Sequence, residues 1–303
     1  MNIPLLISFV CSLVVILLGI YVFRFGHHKN LKIPRYFFAL SLSISLWSLL
    51  SGIRYVIPKE IHAIAPSITL LPAIFVPFLL NQLVMNLIRS DFKQKKLIFF
   101  MDLAVMVYLF LSCISLNMIE MVDYQTSSYN FLPAYHVLIM YSFGYVGLSI
   151  FLILRKVIIA SGSEKVRFTL LALGISISLF TTILFVYILP LLGISKGYFI
   201  SIGLIPSSLF LWAVAILHYD VFETKEALLF GDKVPFLNRI TLDFHLILYN
   251  FLDPNEFQSK SVALKAVVTA DMLYTDMSLV LNTDLELNKR AELLARKYYQ
   301  YIK

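Results

Sequence analysis

The sequence predicts an all-α membrane protein: a seven-transmembrane helix bundle with its N-terminus outside and its C-terminus cytoplasmic, followed by a small helical cytoplasmic tail. Three observations predict it. Hydrophobic residues make up 59% of the 303-residue chain and charged residues only 14%, where a globular chain carries roughly a quarter charged residues. Seven stretches are long and apolar enough to cross a bilayer. The cations are divided unequally between alternate loops.

A crossing helix needs about 20 predominantly apolar residues. The stretches 3–25, 36–57, 67–88, 97–119, 134–154, 168–193 and 198–219 qualify. Pro72, Pro77 and Pro206 fall inside spans, where neighbouring helices can satisfy the freed carbonyls. The loops after spans one, three and five hold Arg24, Lys29, Lys32 and Arg35, then Arg89, Lys93, Lys95 and Lys96, then Arg155, Lys156, Lys165 and Arg167. The alternate loops hold only Arg54, Lys59 and Lys196. Cationic loops stay in the cytoplasm, and this asymmetry sets the expected orientation. The longest outer connection, Glu120 to Ala134, is acidic, aromatic and free of Lys and Arg. It is too short for a folded ligand-binding domain, so anything sensed binds between the helices, from the membrane, or in a shallow vestibule.

Residues 1 to 217 carry 15 Lys and Arg against 6 Asp and Glu; residues 218 to 303 carry 10 against 12. The basic balance thus belongs to the apolar part and reflects membrane orientation, not nucleic-acid binding. Cys11 and Cys113 lie within apolar runs as small packing residues, without metal-ligand spacing.

Composition changes within "LFLWAVAILHYDVFETKEALLF", Leu209 to Phe230, where charges begin to recur from His218. This divides the chain into a seven-transmembrane domain, 1–222, and a cytoplasmic helical tail, 223–303. Trp212, His218, Tyr219 and Phe222 mark the junction through which the last span would transmit a signal. Gly231 is an expected C-cap. Leu237, Ile240, Phe244, Ile247 and Phe251 form one apolar stripe at helical spacing. "DPNE", Asp253 to Glu256, and "TDLE", Thr283 to Glu286, read as capping boxes opening two further helices. Such a tail is marginal alone and gains stability when dimerised or docked.

Ionisable groups inside a membrane are costly and are candidates for function. Asp102 lies early in the fourth span. Either it reaches the Lys95 and Lys96 cluster or a neighbouring helix's donor, or it joins Asn81, Gln82 and Asn86 of the third span in a polar cavity. Interhelical amide bonds are also ordinary packing. Arg54, at the outer end of span two, is an interfacial anchor or an anion contact, with Glu60, Glu120 or Asp123 as neutralising partners. His136, at the outer entrance of span five, is an interfacial residue or a pH-sensitive one. Trp47, Tyr108, Tyr141, Tyr145, Tyr187 and Trp212 read as packing aromatics. The sequence contains no His-Glu-x-x-His, Gly-x-Ser-x-Gly, Gly-rich phosphate loop or Cys/His cluster. No catalytic residue, metal or cofactor is therefore expected.

"RYFFALSLSISLWSLLSGIRY" in span two, with Arg35, Phe37 and Trp47, resembles a motif of the N-terminal seven-transmembrane region of bacterial histidine kinases. "LPAIFVPFLLNQLV", Leu71 to Val84, is similar to that family's Pro-containing third span, and "AVAILHYDVFE" resembles its close, with Ala213, Tyr219 and Phe222 in comparable places and His218 where a basic residue is usual. The resemblance covers roughly residues 1 to 225. It implies a sensory input domain, not itself catalytic, whose last span passes a change of helix packing to a cytoplasmic output. His245 lacks the acidic neighbour and nearby Pro of a phosphoacceptor box, so no kinase core is expected in the tail.

The expected function is that of a multi-pass sensor of a bacterial inner membrane. Membrane lipid surrounds it, and residues 231–303 either form a homodimer or bind a cytoplasmic signalling partner. The alternative is a small-solute transporter or channel with a polar inner cavity.

Overall fold

The computed structural model describes residues 3–26, 32–58, 64–89, 92–123, 128–192, 204–217 and 221–302. Six of its helices are long and apolar enough to cross a membrane: α1 (Ile3–Phe25), α2 (Lys32–Ile53), α3 (Ala65–Ile88), α4 (Lys96–Ile114), α5 (Pro133–Ile159) and α6 (Gly162–Ile188). Of the expected seventh span, α7 (Leu204–Leu217) is described, 14 residues long. Residues 193–203 and 218–220 lie outside the described residues, so six spans, not seven, are counted among them.

The chain divides into two compact units, Met1–Ala160 with Glu164–Tyr219, and Ser161–Ser163 with Asp220–Lys303. In the first, α1 packs along α2 and touches α7, α2 packs on α3, and α3 packs on α5. The α1–α2 seam is built from small residues. The Ser12 and Ser45 hydroxyls lie 2.7 Å apart, and Ser45 Oγ also donates to the Ser12 carbonyl at 3.0 Å. A Cβ on Gly52 would meet Ser8 Cβ at 2.4 Å, and one on Gly19 would meet Ser41 Cβ at 2.7 Å. Without a hydrophobic force between helices in lipid, such close backbone approach is what holds spans together.

α3 is irregular where its prolines fall. The turn Pro72–Phe75 is 3-10, and regular helix resumes at Val76 with Pro77 in its first turn, where a missing N–H costs nothing. α6 changes from α to π geometry over Ile183–Ile188. The Tyr135 hydroxyl donates to the Val186 carbonyl in that segment at 2.7 Å.

Between α4 and α5, where a plain loop was expected, the chain forms an antiparallel hairpin of β1 (Ile119–Asp123) and β2 (Ser128–Phe131), pairing Ile119 with Phe131 and bulged between Met121 and Asp123. The hairpin is a short β element within an otherwise helical bundle. The core beneath it gathers Leu70, Ile74, Leu109, Met118, Ile119 and Tyr135.

The second unit is helical: α8 (Val221–Leu229), α9 (Phe236–Leu252), α10 (Pro254–Asn282) and α11 (Leu287–Ile302). α8 closes in a Schellman motif, with Gly231 N–H donating to Leu228 O and Asp232 N–H to Ala227 O. Gly231 has φ +80° there. Asp253 caps α10 by accepting from the Glu256 N–H at 3.3 Å. The second expected capping box does not form: the Thr283 hydroxyl donates back to Leu279 O at the end of α10, and α11 begins only at Leu287. Phe222 is buried against Tyr249 and Phe257, with ring centroids 5.6 and 5.5 Å away.

Candidate functional site

Asp102 is placed on the second turn of α4 and is buried, 6% exposed. Its carboxylate accepts from the Tyr145 hydroxyl of α5 and, at 2.5 Å, from Gln94 Nε2. Gln94 lies just before α4, and its Oε1 accepts from Gln82 Nε2 of α3 at 2.5 Å. A chain of side-chain hydrogen bonds therefore runs Gln82–Gln94–Asp102–Tyr145 and joins three helices. Asn86 braces its start by donating to the Gln82 carbonyl at 2.7 Å.

The chain of bonds borders a cavity of about 920 Å³, lined by Asn81, Gln82, Gln94, Tyr141 and Tyr145, with Arg89, Lys93 and Lys95 at the same cavity. Asp102 itself is not on the wall; it sits behind Gln94 and Tyr145 and orients them. Asn81 Oδ1, Asn86 Oδ1 and the Tyr141 hydroxyl are buried without a hydrogen-bond partner among the described residues. An acidic group with its donors supplied is tolerable in a low-dielectric bundle. Of these residues Asn81 and Tyr141 border the cavity, and buried polar groups left unpaired are uncommon enough to mark the region as a candidate site.

Asp102 is thus bonded to Gln94 and Tyr145 rather than to Lys95 or Lys96, and it meets the third span through Gln94, not directly. Asn81, Gln82 and Asn86 gather at this end. Arg54 and His136 do not. Arg54 donates to the Tyr55 hydroxyl at 3.0 Å and borders a separate small cleft with Pro66 and Ile119. His136 is exposed and packs edge-on to Phe131, Tyr135 and Tyr187. It precedes Tyr145 by nine residues on α5, about 14 Å of helix rise. Of the junction residues, Trp212 is buried in the first unit, Phe222 belongs to the second, and His218 and Tyr219 lie outside the described residues.

Sequence reasoning missed Gln94 and the role of Tyr145. Gln94 precedes the apolar run in a loop, where nothing periodic marks it. Tyr145 was read as packing; a Tyr within reach of an intramembrane Asp on the next span was the available signal.

Helices of this length and polarity, closed around a buried polar site, define a multi-pass membrane protein. The sequence model of the N-terminal seven-transmembrane region of histidine kinase matches residues 6–225, and the chain belongs to that family, a class of membrane sensory input regions. No curated protein and no solved structure matches it significantly.

Proposed function

We propose that the chain is a sensory module in which a change of helix packing in the bundle is carried by α7 into the helices beyond Gly231, and that these associate with a second copy of the chain. In this reading the tail lies in the cytoplasm, supported by the cations of the alternate loops, and the bundle in a bacterial inner membrane. The observation that carries the reading is the outward face of α9. Phe236, Ile240, Phe244, Ile247 and Phe251 recur at spacings of three and four, and each is more than half exposed, from 52% at Phe244 to 81% at Phe251. The buried face of that helix is instead Asn238, Thr241, Leu242, His245 and Tyr249. A continuous apolar stripe turned outward is the usual mark of an association surface, and this spacing suits a helix-helix seam. Support on the bundle side comes from α7, where Trp212, Ala213, Val214, Ala215 and Ile216 are consecutive and all buried. A helix buried all round is embedded among its neighbours and responds to their movement.

The full chain in nanodiscs, carrying Ile247→Cys with Cys11 and Cys113 changed to Ser, tests this. Oxidation is expected to give a disulfide-linked dimer, lost when Ile240→Glu is added and altered in yield by Asp102→Asn in the bundle. A chain that is monomeric by mass and indifferent to Ile240→Glu removes the dimer and leaves a separate cytoplasmic protein as the partner. A tail insensitive to every change in the bundle removes the sensory reading.

A further inference from the structure

We propose that the bundle contains a second, apolar site that takes a small neutral molecule bearing one hydrogen-bond-accepting oxygen, recognised by the indole N–H of Trp212. It rests on the sensory reading above and names the chemical class of the stimulus.

The site is a half-open cavity of about 110 Å³ bordered by α2, α3, α5, α6 and α7, with Trp47, Ala73, Phe143, Ile183 and Trp212 among its walls. Among the described residues, no Asp, Glu, Lys, Arg or His lines it. Apolar cavities of comparable size, on the order of 150 Å³, stay dry and accept molecules as large as benzene. A charged ligand would forfeit its hydration without compensation. What distinguishes this cavity from a packing void is Trp212. Its side chain is buried, 3% exposed, and Nε1 has no acceptor among the described residues. Tyr135, another donor on the wall, is already committed to the Val186 carbonyl at 2.7 Å. Buried Trp N–H groups normally find a partner, and one left alone in a low-dielectric wall is a standing demand for an acceptor.

Two features connect the site to signalling. Trp212 belongs to α7, the helix that leads toward the second unit. Ile183, Val186 and Tyr187 on the opposite wall belong to the π-helical stretch of α6, a geometry that recurs at functional sites. An occupant therefore bridges α6 and α7. It approaches from the membrane, as an uncharged amphiphile partitions there.

The chain contains two tryptophans, both on this wall, so indole-labelled protein in nanodiscs gives two N–H resonances that Trp212→Phe assigns. The probes are cyclohexanone and methylcyclohexane, alike in shape and differing in the acceptor. Cyclohexanone is expected to shift the Trp212 resonance saturably and to bind roughly three- to tenfold more tightly than methylcyclohexane, the effect of one hydrogen bond. In Trp212→Phe, read at Trp47, that preference is expected to vanish, and Ala73→Phe, which fills the cavity, is expected to abolish saturable binding of both. Absence of a saturable shift, equal affinities for the two probes in the unaltered chain, or binding that survives Ala73→Phe would overturn the site. The comparison of probes in the unaltered chain decides the matter even if a variant fails to fold. Cyclohexanone that binds as described without altering the Ile247→Cys cross-link leaves the site standing and removes its link to sensing; a cross-link that responds to Asp102→Asn while neither probe binds does the reverse.

Discussion

The Tyr145 hydroxyl donates to the Asp102 carboxylate across the α4–α5 interface. The contact accounts for how an acidic residue is accommodated within a span, and it ties the fifth helix to the Gln94–Gln82 chain behind it. Hydrogen bonds to a charged group contribute about 1.5–3 kcal/mol. Tyr145→Phe is expected to lower stability by an amount in that range, and Asp102→Asn by a similar amount. Because both variants break one contact, their double variant is expected to cost clearly less than the sum. Thermal unfolding of the four proteins in detergent measures the coupling; strict additivity would show that the two side chains are energetically independent.

At Gly52, a Cβ would lie 2.4 Å from that of Ser8, closer than any relaxation of one side chain allows. Gly52→Ala is expected to wedge α1 from α2 and cost roughly 1–3 kcal/mol. Gly147→Ala supplies the control, since nothing lies within 4 Å of its Cβ position; it is expected to be neutral or slightly stabilising through helix propensity. Equal effects of the two substitutions on the thermal midpoint would contradict close packing of the seam.

Gly231 holds φ +80° as the residue after α8. Gly231→Ala places a Cβ in left-handed backbone and is expected to cost about 1–2 kcal/mol. In this variant, hydrogen exchange of the amides at positions 231 and 232 should report the fraying, with Leu228 and Ala227 left as unsatisfied acceptors; unchanged protection would mean the turn is not fixed by this geometry.

α10 and α11 are clasped by Asp271, which accepts from the Tyr298 hydroxyl and pairs with Lys297 at 3.4 Å. The Tyr298 hydrogen bond, and then the Lys297 charge, hold the Asp271 carboxyl below its ordinary value of 3.8. Lys297 is held above its ordinary 10.5, chiefly by Tyr298 and then by Asp271. A lowered carboxyl stabilises the fold above its unfolded value and loses that contribution as pH falls through the folded one. A raised amine stabilises below its unfolded value and loses the contribution as pH rises through the folded one. The clasp is therefore expected to be intact between about pH 5 and 9 and to weaken beyond either side. Asp271→Asn should flatten the acid limb of an α11 unfolding profile followed by circular dichroism. A limb of unchanged steepness would place the acid sensitivity elsewhere.

The long apolar helices were legible because a bilayer demands length and hydrophobicity before anything else. The ends of helices were legible where one side chain settles them, as at Gly231 and Asp253. Thr283 was misread because a hydroxyl can serve the carbonyls before it as readily as the amides after it. The hairpin escaped because Ile119–Asp123 and Ser128–Phe131 are short, and their pairing depends on α4 and α5 bringing them together. The Ser8, Ser12 and Gly19 face of α1, matched by Ser41, Ser45 and Gly52 on α2, was present as small residues at spacings of four and seven, but small residues alone do not say which helix they meet. Candidate site residues were legible as types, an Asp and three amides in hydrocarbon. Their partners were not, since Gln94 reaches Asp102 only through the fold of the segment before α4. The apolar stripe of α9 was legible too, but periodicity alone does not say whether a face turns inward or out.

The serine and glycine seam has a mechanical meaning. Backbones that touch along most of their length, with hydroxyls bridging the remaining gap, leave no slack for α1 and α2 to slide past each other. The pair is a stator. α7 rests on α1, so on the sensory reading any displacement of α7 is made against this close-packed pair.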